Sequence, residues 1–204
     1  MLEKIFWLGH SSVKIGGERV IYIDPWKLQS PAKADIVLIS HSHHDHLSTD
    51  DVEKIRGGET VIIATADSAA QLSGDVRTVK PGDTVHLGDV TIEAVPSYNI
   101  DKNFHPRANH WVGFVITVGG KRIYYCGDTD VIPEMEHIAA DIVIAPVGGT
   151  YTMTADEAAG MVNAMNPEAA IPIHYGDIVG SIKDAERFRD LCECTVDIKP
   201  IEKP

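Results

Sequence analysis

The stretch from Ile36 to Leu47, IVLISHSHHDHL, constrains this chain more than any other. Its first part, Ile36–Ile39, is a continuous run of β-branched residues and leucine, which predicts a strand buried on both faces. Four histidines and one aspartate follow within six positions. Because a buried strand holds the residues after it in one fixed place, and because these residue types bind metals, the stretch predicts a metal site.

The spacing within this cluster divides it into two pairs. His41 and His43 are two residues apart in an extended segment, so they share a face and converge on one ion. Asp45 and His46 come as the chain turns into a helix and point to a second position nearby, whereas His44 is expected to point away. Imidazole together with carboxylate suits Zn²⁺ or Mn²⁺, with Fe²⁺ as a further option, better than Ca²⁺ or Mg²⁺.

The rest of the chain alternates short strands with helices, in two halves of similar plan. Each half begins with hairpins and ends with helix–strand units. The predicted strands are Lys4–Leu8, Val13–Ile15, Arg19–Ile23, Ile36–Ile39, Val61–Ala64, Val76–Val79, Thr84–Leu87, Val90–Val95, Trp111–Val118, Arg122–Tyr125, Ile142–Ala145, Ala169–Pro172 and Thr195–Ile198. The predicted helices run from the N-cap Ser48 to Ile55, from Asp67 to Leu72, from the capping box of Thr154 and Glu157 to Met165, and from Ile182 to Leu191, with one further short helix after the CGDTD loop.

This pattern predicts an α/β fold over a single domain, residues 1–204, as a four-layer αββα sandwich built from two similar halves. A mixed α/β sheet of another topology is the alternative. A formal net charge of −12, without a run of Lys or Arg, argues against a nucleic-acid partner. The apolar runs are too short to span a membrane and the N-terminus is unlike a signal peptide, so we expect a cytoplasmic protein that acts on a small molecule; homo-oligomer formation is left open.

The histidine cluster resembles the signature of a known family. The H-x-H-x-D-H pattern looks like that of the metallo-β-lactamase superfamily, and further landmarks follow in the family's order. The residues that carry the resemblance are His41, His43, Asp45 and His46, WLGHSS at Trp7–Ser12, the pair Asp24-Pro25, GDT at Gly127–Thr129 and IPIHYG at Ile171–Gly176. The resemblance is greatest to the small, insert-free branch that includes L-ascorbate-6-phosphate lactonase-like proteins, and it implies the metallo-β-lactamase fold.

The resemblance also implies two ligands from the second half of the chain. Asp128 would bridge two divalent ions, and His174 would complete the second ion's site. Taken alone, Asp128 in a G-D-T sequence is more often a turn former, and His174 an ordinary loop histidine. Each nevertheless follows a predicted buried strand, so strand ends could bring both to the edge at which His41 lies.

One ligand of the first ion is not fixed by the resemblance. Many relatives have a histidine directly after the strand that here ends at Pro96, whereas this chain has Ser97-Tyr98-Asn99. His105 and His110 lie in the loop that follows, and either could fold back. We favour His105, because His110 directly precedes the next strand.

Other residues are candidates for supporting the ligands or contacting substrate. His10 either has one of these roles or is a structural histidine whose hydrogen bonds are satisfied at the end of a strand. Asp24 either orients a ligand imidazole or forms the turn before Pro25. Lys102 and Arg107 share the candidate ligand's loop and would suit an anionic substrate. Tyr151 and the loop residue His110 complete this set.

The implied chemistry is hydrolysis. Two ions bridged by a carboxylate lower the pKa of a water held between them, and the resulting hydroxide attacks an ester, a lactone or a phosphodiester of a small anionic substrate. Asp45 or Asp128 would carry the proton to the leaving group. The alternatives are a metal-binding module with little turnover and a phosphodiesterase or nuclease. A redox di-iron relative is disfavoured, because it would have a carboxylate in place of His43.

Overall fold

The computed structural model describes residues 1–29 and 31–202 of the chain. They form two compact units, the first from Met1 to Val79 with the segment from Pro200, the second from Lys80 to Lys199. Each unit is built on its own sheet. The sequence prediction that the chain is one domain stays a prediction. None of the helices in the described part has the length and apolar character needed to cross a bilayer.

The first unit contains a six-stranded mixed sheet in the order β1-β2-β3-β4-β5-β6. Its strands are β1 (Ile5–Gly9), β2 (Ser12–Ile15), β3 (Ile21–Ile23), β4 (Ile36–Ile39), β5 (Val61–Ala64) and β6 (Asp75–Thr78). The first three strands pair antiparallel, and β3 to β6 pair parallel. All four residues of β4 are buried, as its unbroken apolar sequence predicts.

Two helices connect the parallel strands of this unit, α1 (Thr49–Ile55) and α2 (Ala66–Ala69). The Oγ of Ser48 accepts a hydrogen bond from the backbone N–H of Asp51, so the predicted N-cap starts α1. Val52 and Ile55 of this helix are fully buried in the cluster that also contains Val37 of β4. This packing fixes the helix that follows the histidine cluster, and thereby the direction in which the cluster leaves β4.

The second unit contains a seven-stranded mixed sheet in the order β13-β12-β11-β10-β9-β8-β7. Its strands are β7 (Thr84–Leu87), β8 (Val90–Pro96), β9 (Val112–Val118), β10 (Lys121–Tyr125), β11 (Ile142–Pro146), β12 (Ala169–Ile173) and β13 (Thr195–Val196). The strands from β7 to β10 pair antiparallel, and those from β10 to β13 pair parallel. The second sheet therefore repeats the plan of the first, antiparallel strands followed by parallel ones, as the two halves of the sequence predict.

Helices α3 (Ala155–Met165) and α4 (Ile182–Leu191) join the parallel strands of the second unit, and each begins with a complete capping box. Short 3-10 helices occupy Leu2–Lys4 in the first unit and Arg107–Asn109 and Pro133–His137 in the second. Four predicted elements are shorter than expected. The helix predicted for Asp67–Leu72 is confined to Ala66–Ala69, because the amides of Gln71 and Leu72 bond three residues back as turns. Strand β3 begins at Ile21 instead of Arg19, β9 begins at Val112 instead of Trp111, and the last strand ends at Val196.

Candidate metal centre

In the first unit, the carboxyl ends of two neighbouring parallel strands carry the site residues. Asp24 follows β3 and His41 follows β4, one residue after Ser40. The amide of Asp24 donates to the carbonyl of Leu38 across the pair, at 2.9 Å. Since parallel strands end at the same edge of a sheet, the polar residues that follow β3 and β4 are brought side by side.

Asp24 is fully buried, and its carboxylate contacts both Ser40 and His46. Its Oδ1 accepts from the backbone amide of Ser40 at 2.7 Å, and its Oδ2 accepts from the Ser40 hydroxyl at 2.5 Å. The same Oδ2 lies 2.7 Å from Nδ1 of His46. A carboxylate at this nitrogen favours the tautomer with the proton on Nδ1, which assigns Nε2 of His46 as the ligand atom.

His41 and His43 lie next to each other, with Nε2 of His41 3.1 Å from Nδ1 of His43. His41 is 2% exposed, and its Nδ1 lies 2.9 Å from the hydroxyl of Ser40. One ligand-type atom from each of Asp24, His41 and His46 lies within 4.8 Å of the others. The side chain of His44 is 82% exposed, so it points away from this group, as its place between the two pairs predicts.

Asp45 is held by a histidine from the first hairpin. Its Oδ2 lies 2.9 Å from Nε2 of His10 and 3.7 Å from Nε2 of His46. The backbone of His10 is left-handed, with φ of +48°, and its carbonyl accepts from the indole N–H of Trp7 at 2.8 Å. A buried carboxylate is stable only with such partners or with a cation, so the pairing places Asp45 in the cluster.

In the second unit, one carboxylate oxygen has two imidazoles beside it. Asp128 comes shortly after β10, His174 directly after β12, and His105 from the loop after β8. Oδ2 of Asp128 lies 3.2 Å from Nε2 of His105 and 3.1 Å from Nε2 of His174. The three residues are 4%, 1% and 1% exposed in the order Asp128, His105, His174. The pairing of His105 with Asp128 could not be predicted from the sequence, because the positions of the two residues along the chain do not indicate that they are in contact.

The backbone around His174 leaves no room for a side chain at residue 148. His174 has φ of +60°, a left-handed conformation that non-glycine residues seldom adopt. A Cβ added at Gly148, after β11, would overlap the carbonyl oxygen of His174 and come within 3.3 Å of its Nδ1. Glycine at this position is therefore required for His174 to reach Asp128.

The other sequence candidates are not brought against the ligand groups by any contact that the structure shows. His110 is exposed and forms the left-handed C-cap of a 3-10 helix. Lys102 donates to Asp130 at 2.6 Å, and Arg107 donates to Glu134 at 2.8 Å. The ring of Tyr151 packs edge-on against Phe104, with ring centroids 4.7 Å apart. Lys102 and Arg107 thus each pair with an acidic side chain of the protein.

Cys126 lies two residues before Asp128 and is fully buried. Burial raises the pKa of its thiol well above the ordinary value. Because only the thiolate binds metals, this cysteine acts as a small hydrophobic residue of the core.

The donor set fits divalent transition metals. Both units present buried imidazole nitrogens together with carboxylate oxygens, the donors that Zn²⁺, Mn²⁺ and Fe²⁺ prefer. Ligand imidazoles commonly have their other nitrogen bonded to a carboxylate or amide oxygen, as His46 has with Asp24 and His105 with Asn99. Sequence reasoning missed Ser40 and Asn99, whose side chains lie against the rings of His41 and His105, and Asp130, which bonds Asn99 across 31 residues. For Ser40, its position next to His41 was a signal in the sequence.

Comparison with known proteins places these observations in a family context. Residues 4–174 match the beta-lactamase superfamily domain. The chain is 31% identical to a metal-dependent hydrolase of Thermoplasma acidophilum, over 98% of this chain and 97% of that protein. A metal-dependent hydrolase of Archaeoglobus fulgidus is 32% identical, over 91% of this chain and 89% of its own length. The crystal structure of a protein described as a putative metal-dependent hydrolase from Parabacteroides distasonis superposes with a TM-score of 0.86 at 33% identity, covering 97% of this chain and 93% of that one.

Proposed function

The chain belongs to the metallo-β-lactamase superfamily and has its fold, as predicted, and from this premise we propose that it is a metal-dependent hydrolase of esters, lactones or phosphodiesters. The observation that carries the proposal is the set of buried imidazoles and carboxylates at the strand ends of each unit. Relatives that match nearly the whole chain are named metal-dependent hydrolases, which supports the same class. The lactonase-like branch stays a prediction.

The residues that would hold metal are those of the two clusters. In the first unit they are His41, His43, Asp45 and His46, and in the second unit His105, Asp128 and His174. Divalent cations bound by these residues would lower the pKa of water towards neutrality and polarise a carbonyl or phosphoryl oxygen. That both clusters serve one two-metal centre, with Asp128 as the bridge, stays the prediction of the sequence resemblance, and we propose Zn²⁺ or Mn²⁺ as the ions.

The protein's own groups would orient the ligands and handle the proton. Asp24 holds the ring of His46 through Nδ1, and Asn99 holds that of His105 in the same way. Oδ2 of Asp45 lies 2.9 Å from Nε2 of His10, so a proton taken up by this carboxylate can pass to that imidazole. We assign proton transfer to the leaving group to Asp45 or Asp128, each of which lies beside a proposed ligand imidazole.

The substrate is proposed to be a small molecule, since a net charge of −12 opposes binding of a nucleic-acid backbone. An anionic substrate group would have to compete for Lys102 and Arg107 with Asp130 and Glu134. Neutral lactones and carboxylic esters are therefore favoured over phosphodiesters as the first substrates to test.

The test is a hydrolysis assay on protein stripped of metal and reloaded with Zn²⁺ or Mn²⁺. The substrates are p-nitrophenyl esters, simple lactones and bis-p-nitrophenyl phosphate. We expect turnover that requires metal, is lost in His41→Ala and is retained in His86→Ala, because His86 is exposed and bonded only to Thr91 among the contacts described. Metal-loaded protein that hydrolyses none of the three classes, with His41→Ala affecting stability alone, would show a metal-binding protein instead of an enzyme.

A further inference from the structure

We propose that Asn99 is a positioning residue that fixes the tautomer and the ring orientation of His105, and that Asp130 and Lys102 hold Asn99 in place. The inference concerns the loop that follows β8 and carries His105. It rests on the proposed function to the extent that His105 is taken as a metal ligand. The contacts that support it all lie within the second unit.

Asn99 bonds both the backbone and the ring of His105. Its amide N–H donates to the carbonyl of His105 at 2.8 Å, and its side-chain Oδ1 accepts from the amide of His105 at 2.9 Å. The same Oδ1 lies 3.0 Å from Nδ1 of the imidazole. These bonds close residues 99–105 into a loop that brings His105 back to Asn99, three residues after β8 ends.

The orientation of the Asn99 amide is fixed by its other partners. Its Nδ2 donates to Oδ1 of Asp130 at 3.2 Å and to the carbonyl of Tyr151 at 3.0 Å. Because both of these partners accept, the group facing His105 must be the carbonyl oxygen Oδ1. An oxygen that only accepts requires a proton on Nδ1 of His105, which assigns Nε2 as the ligand atom. Nε2 is also the nitrogen that lies 3.2 Å from Asp128.

Asp130 links this loop to the turn that carries Asp128. Its Oδ2 accepts from the backbone amide of Ile100 at 2.8 Å, and its Oδ1 accepts from Nζ of Lys102 at 2.6 Å as well as from Asn99. Its own amide donates to the carbonyl of Tyr98 at 3.0 Å. Asp130 and Asn99 are each 7% exposed, so little solvent competes for these bonds. The geometry thus gives Lys102 a role in the loop rather than in contacting substrate.

The ring of His105 is confined on a second side. The indole of Trp111 lies edge-on to it, with ring centroids 5.6 Å apart. A flip of the imidazole would place a carbon opposite Oδ1 of Asn99 and lose that bond. Packing against Trp111 limits how the ring rotates, and the hydrogen bond between Nδ1 and Asn99 keeps Nε2 as the nitrogen that faces Asp128.

The test uses Asn99→Ala, with the exchange variant Asn99→Asp/Asp130→Asn as the conservative change and Asn103→Ala as the matched control from the same loop, where residue 103 is exposed. The exchange keeps an acceptor at residue 99 and places an amide opposite it at residue 130, whereas Asn99→Asp alone would set two carboxylates against each other. The first readout is the ¹⁵N chemical shifts of the His105 ring in zinc-loaded protein, which report which nitrogen binds the metal and which carries the proton. The second is the zinc affinity, measured by competition with a chromophoric chelator. In Asn99→Ala, we expect His105 to lose its single Nδ1-protonated form. We also expect the zinc affinity to fall by about 10- to 100-fold. The exchange variant Asn99→Asp/Asp130→Asn keeps an acceptor at Nδ1 of His105, so it should keep the wild-type pattern of ring shifts, and Asn103→Ala should match wild type in both readouts.

The proposal is overturned if Asn99→Ala keeps the wild-type ring shifts and zinc affinity. It is also overturned if Asn99→Ala and the exchange variant lose the pattern alike, since the residue would then serve the loop and not the ring. Should Asn99→Ala fail to fold, the ring shifts of the exchange variant decide, because retention supports an acceptor role and loss refutes it. The ring shifts and the zinc affinity do not depend on turnover, so a protein that binds zinc but is inactive would refute the proposed function and leave this inference standing.

Discussion

At the scale of single residues, the site depends on the proposed metal-binding side chains and equally on the side chains that hydrogen-bond to them. Asp24 shows this most directly, because one carboxylate orients Ser40 and His46 together. Its backbone has φ of +45°, a conformation that Asn tolerates as well as Asp. Asp24→Asn therefore changes the charge at His46 without adding backbone strain.

We expect Asp24→Asn to lower metal affinity by about 10- to 100-fold, the usual effect of removing a carboxylate behind a ligand imidazole. Isothermal titration of metal-depleted protein with Zn²⁺ measures it. The control is Asp89→Asn, which removes the same charge at an exposed position. Equal affinities in the two variants would show that Asp24 forms the turn before Pro25 and does not act on His46.

The choice between His105 and His110 leads to a second prediction at this scale. His105→Asn should lose part of the bound metal, measured as equivalents by atomic emission after dialysis, because its Nε2 lies beside Asp128. His110→Asn should bind as wild type, since His110 is exposed and Asn suits its φ of +54°. Loss of metal in the His110 variant alone would assign the ligand to His110 instead.

The sequence favours His105 over His110 but does not fix the choice, and the reason is physical. Asn99 and Asp130 are 31 residues apart, and their bond places the loop. A contact of that separation leaves no periodic signal along the chain. The cluster from His41 to His46 was predictable because a single buried strand and a local turn specify it.

At the scale of elements, the strands and helices follow closely from local chemistry. The strands β4, β5 and β7 and the helices α1 and α4 have the predicted bounds. Helix α3 begins after the predicted capping box of Thr154 and Glu157 and ends at Met165, where Asn166 adopts a left-handed C-cap. What local chemistry does not specify is the irregular segment between β8 and β9, whose conformation depends on partners from the turn after β10.

Gly148, two residues after the end of β11, gives a prediction for the segment that carries His174. Gly148→Ala should displace His174, because the added Cβ would overlap its carbonyl oxygen. We expect a loss of about 1–3 kcal/mol in the free energy of unfolding, typical of overpacking, together with weaker metal binding. Urea denaturation and metal titration measure the two effects.

Gly160→Ala in α3 is the matched control, because a Cβ there meets nothing within 4 Å. That variant should gain about 0.5–1 kcal/mol from helix propensity and bind metal normally. Unchanged metal binding in Gly148→Ala, with or without a stability loss, would contradict the role assigned to this glycine.

Asp141, which precedes β11, gives a prediction about pH. The backbone N–H of Arg122 and, less strongly, the ammonium of Lys121 lower the pKa of this carboxyl below its ordinary value. A lowered folded-state pKa means that the carboxylate stabilises the fold above the unfolded value of about 3.9, and that this contribution is lost as the pH falls through the folded pKa. Asp141→Asn should therefore destabilise the protein at pH 6, and the difference from wild type should shrink below about pH 4. Urea unfolding of both proteins across this range measures it, and a difference that is constant with pH would contradict the assignment.

At the scale of the whole molecule, charge and fold both favour a metal-loaded state. The chain carries a formal net charge of −12 before any ion is bound. The carboxylates of Asp24, Asp45 and Asp128 are buried among imidazoles, where divalent cations would offset charge that water cannot reach. Binding to the folded state alone raises the stability by mass action.

Metal removal should therefore lower the thermal midpoint. At a free Zn²⁺ concentration 100 times the dissociation constant, linkage gives about 2.7 kcal/mol, which corresponds to about 5–10 °C for a chain of this length. Differential scanning calorimetry of EDTA-treated and Zn²⁺-reloaded protein measures the shift, and the midpoint should rise with the logarithm of free Zn²⁺. His86→Ala should show the wild-type shift, and His41→Ala a reduced one, because only His41 belongs to a ligand cluster. Equal midpoints with and without metal would mean that the buried clusters are stable as hydrogen-bonded networks, and the assignment of these residues as metal ligands would then fail.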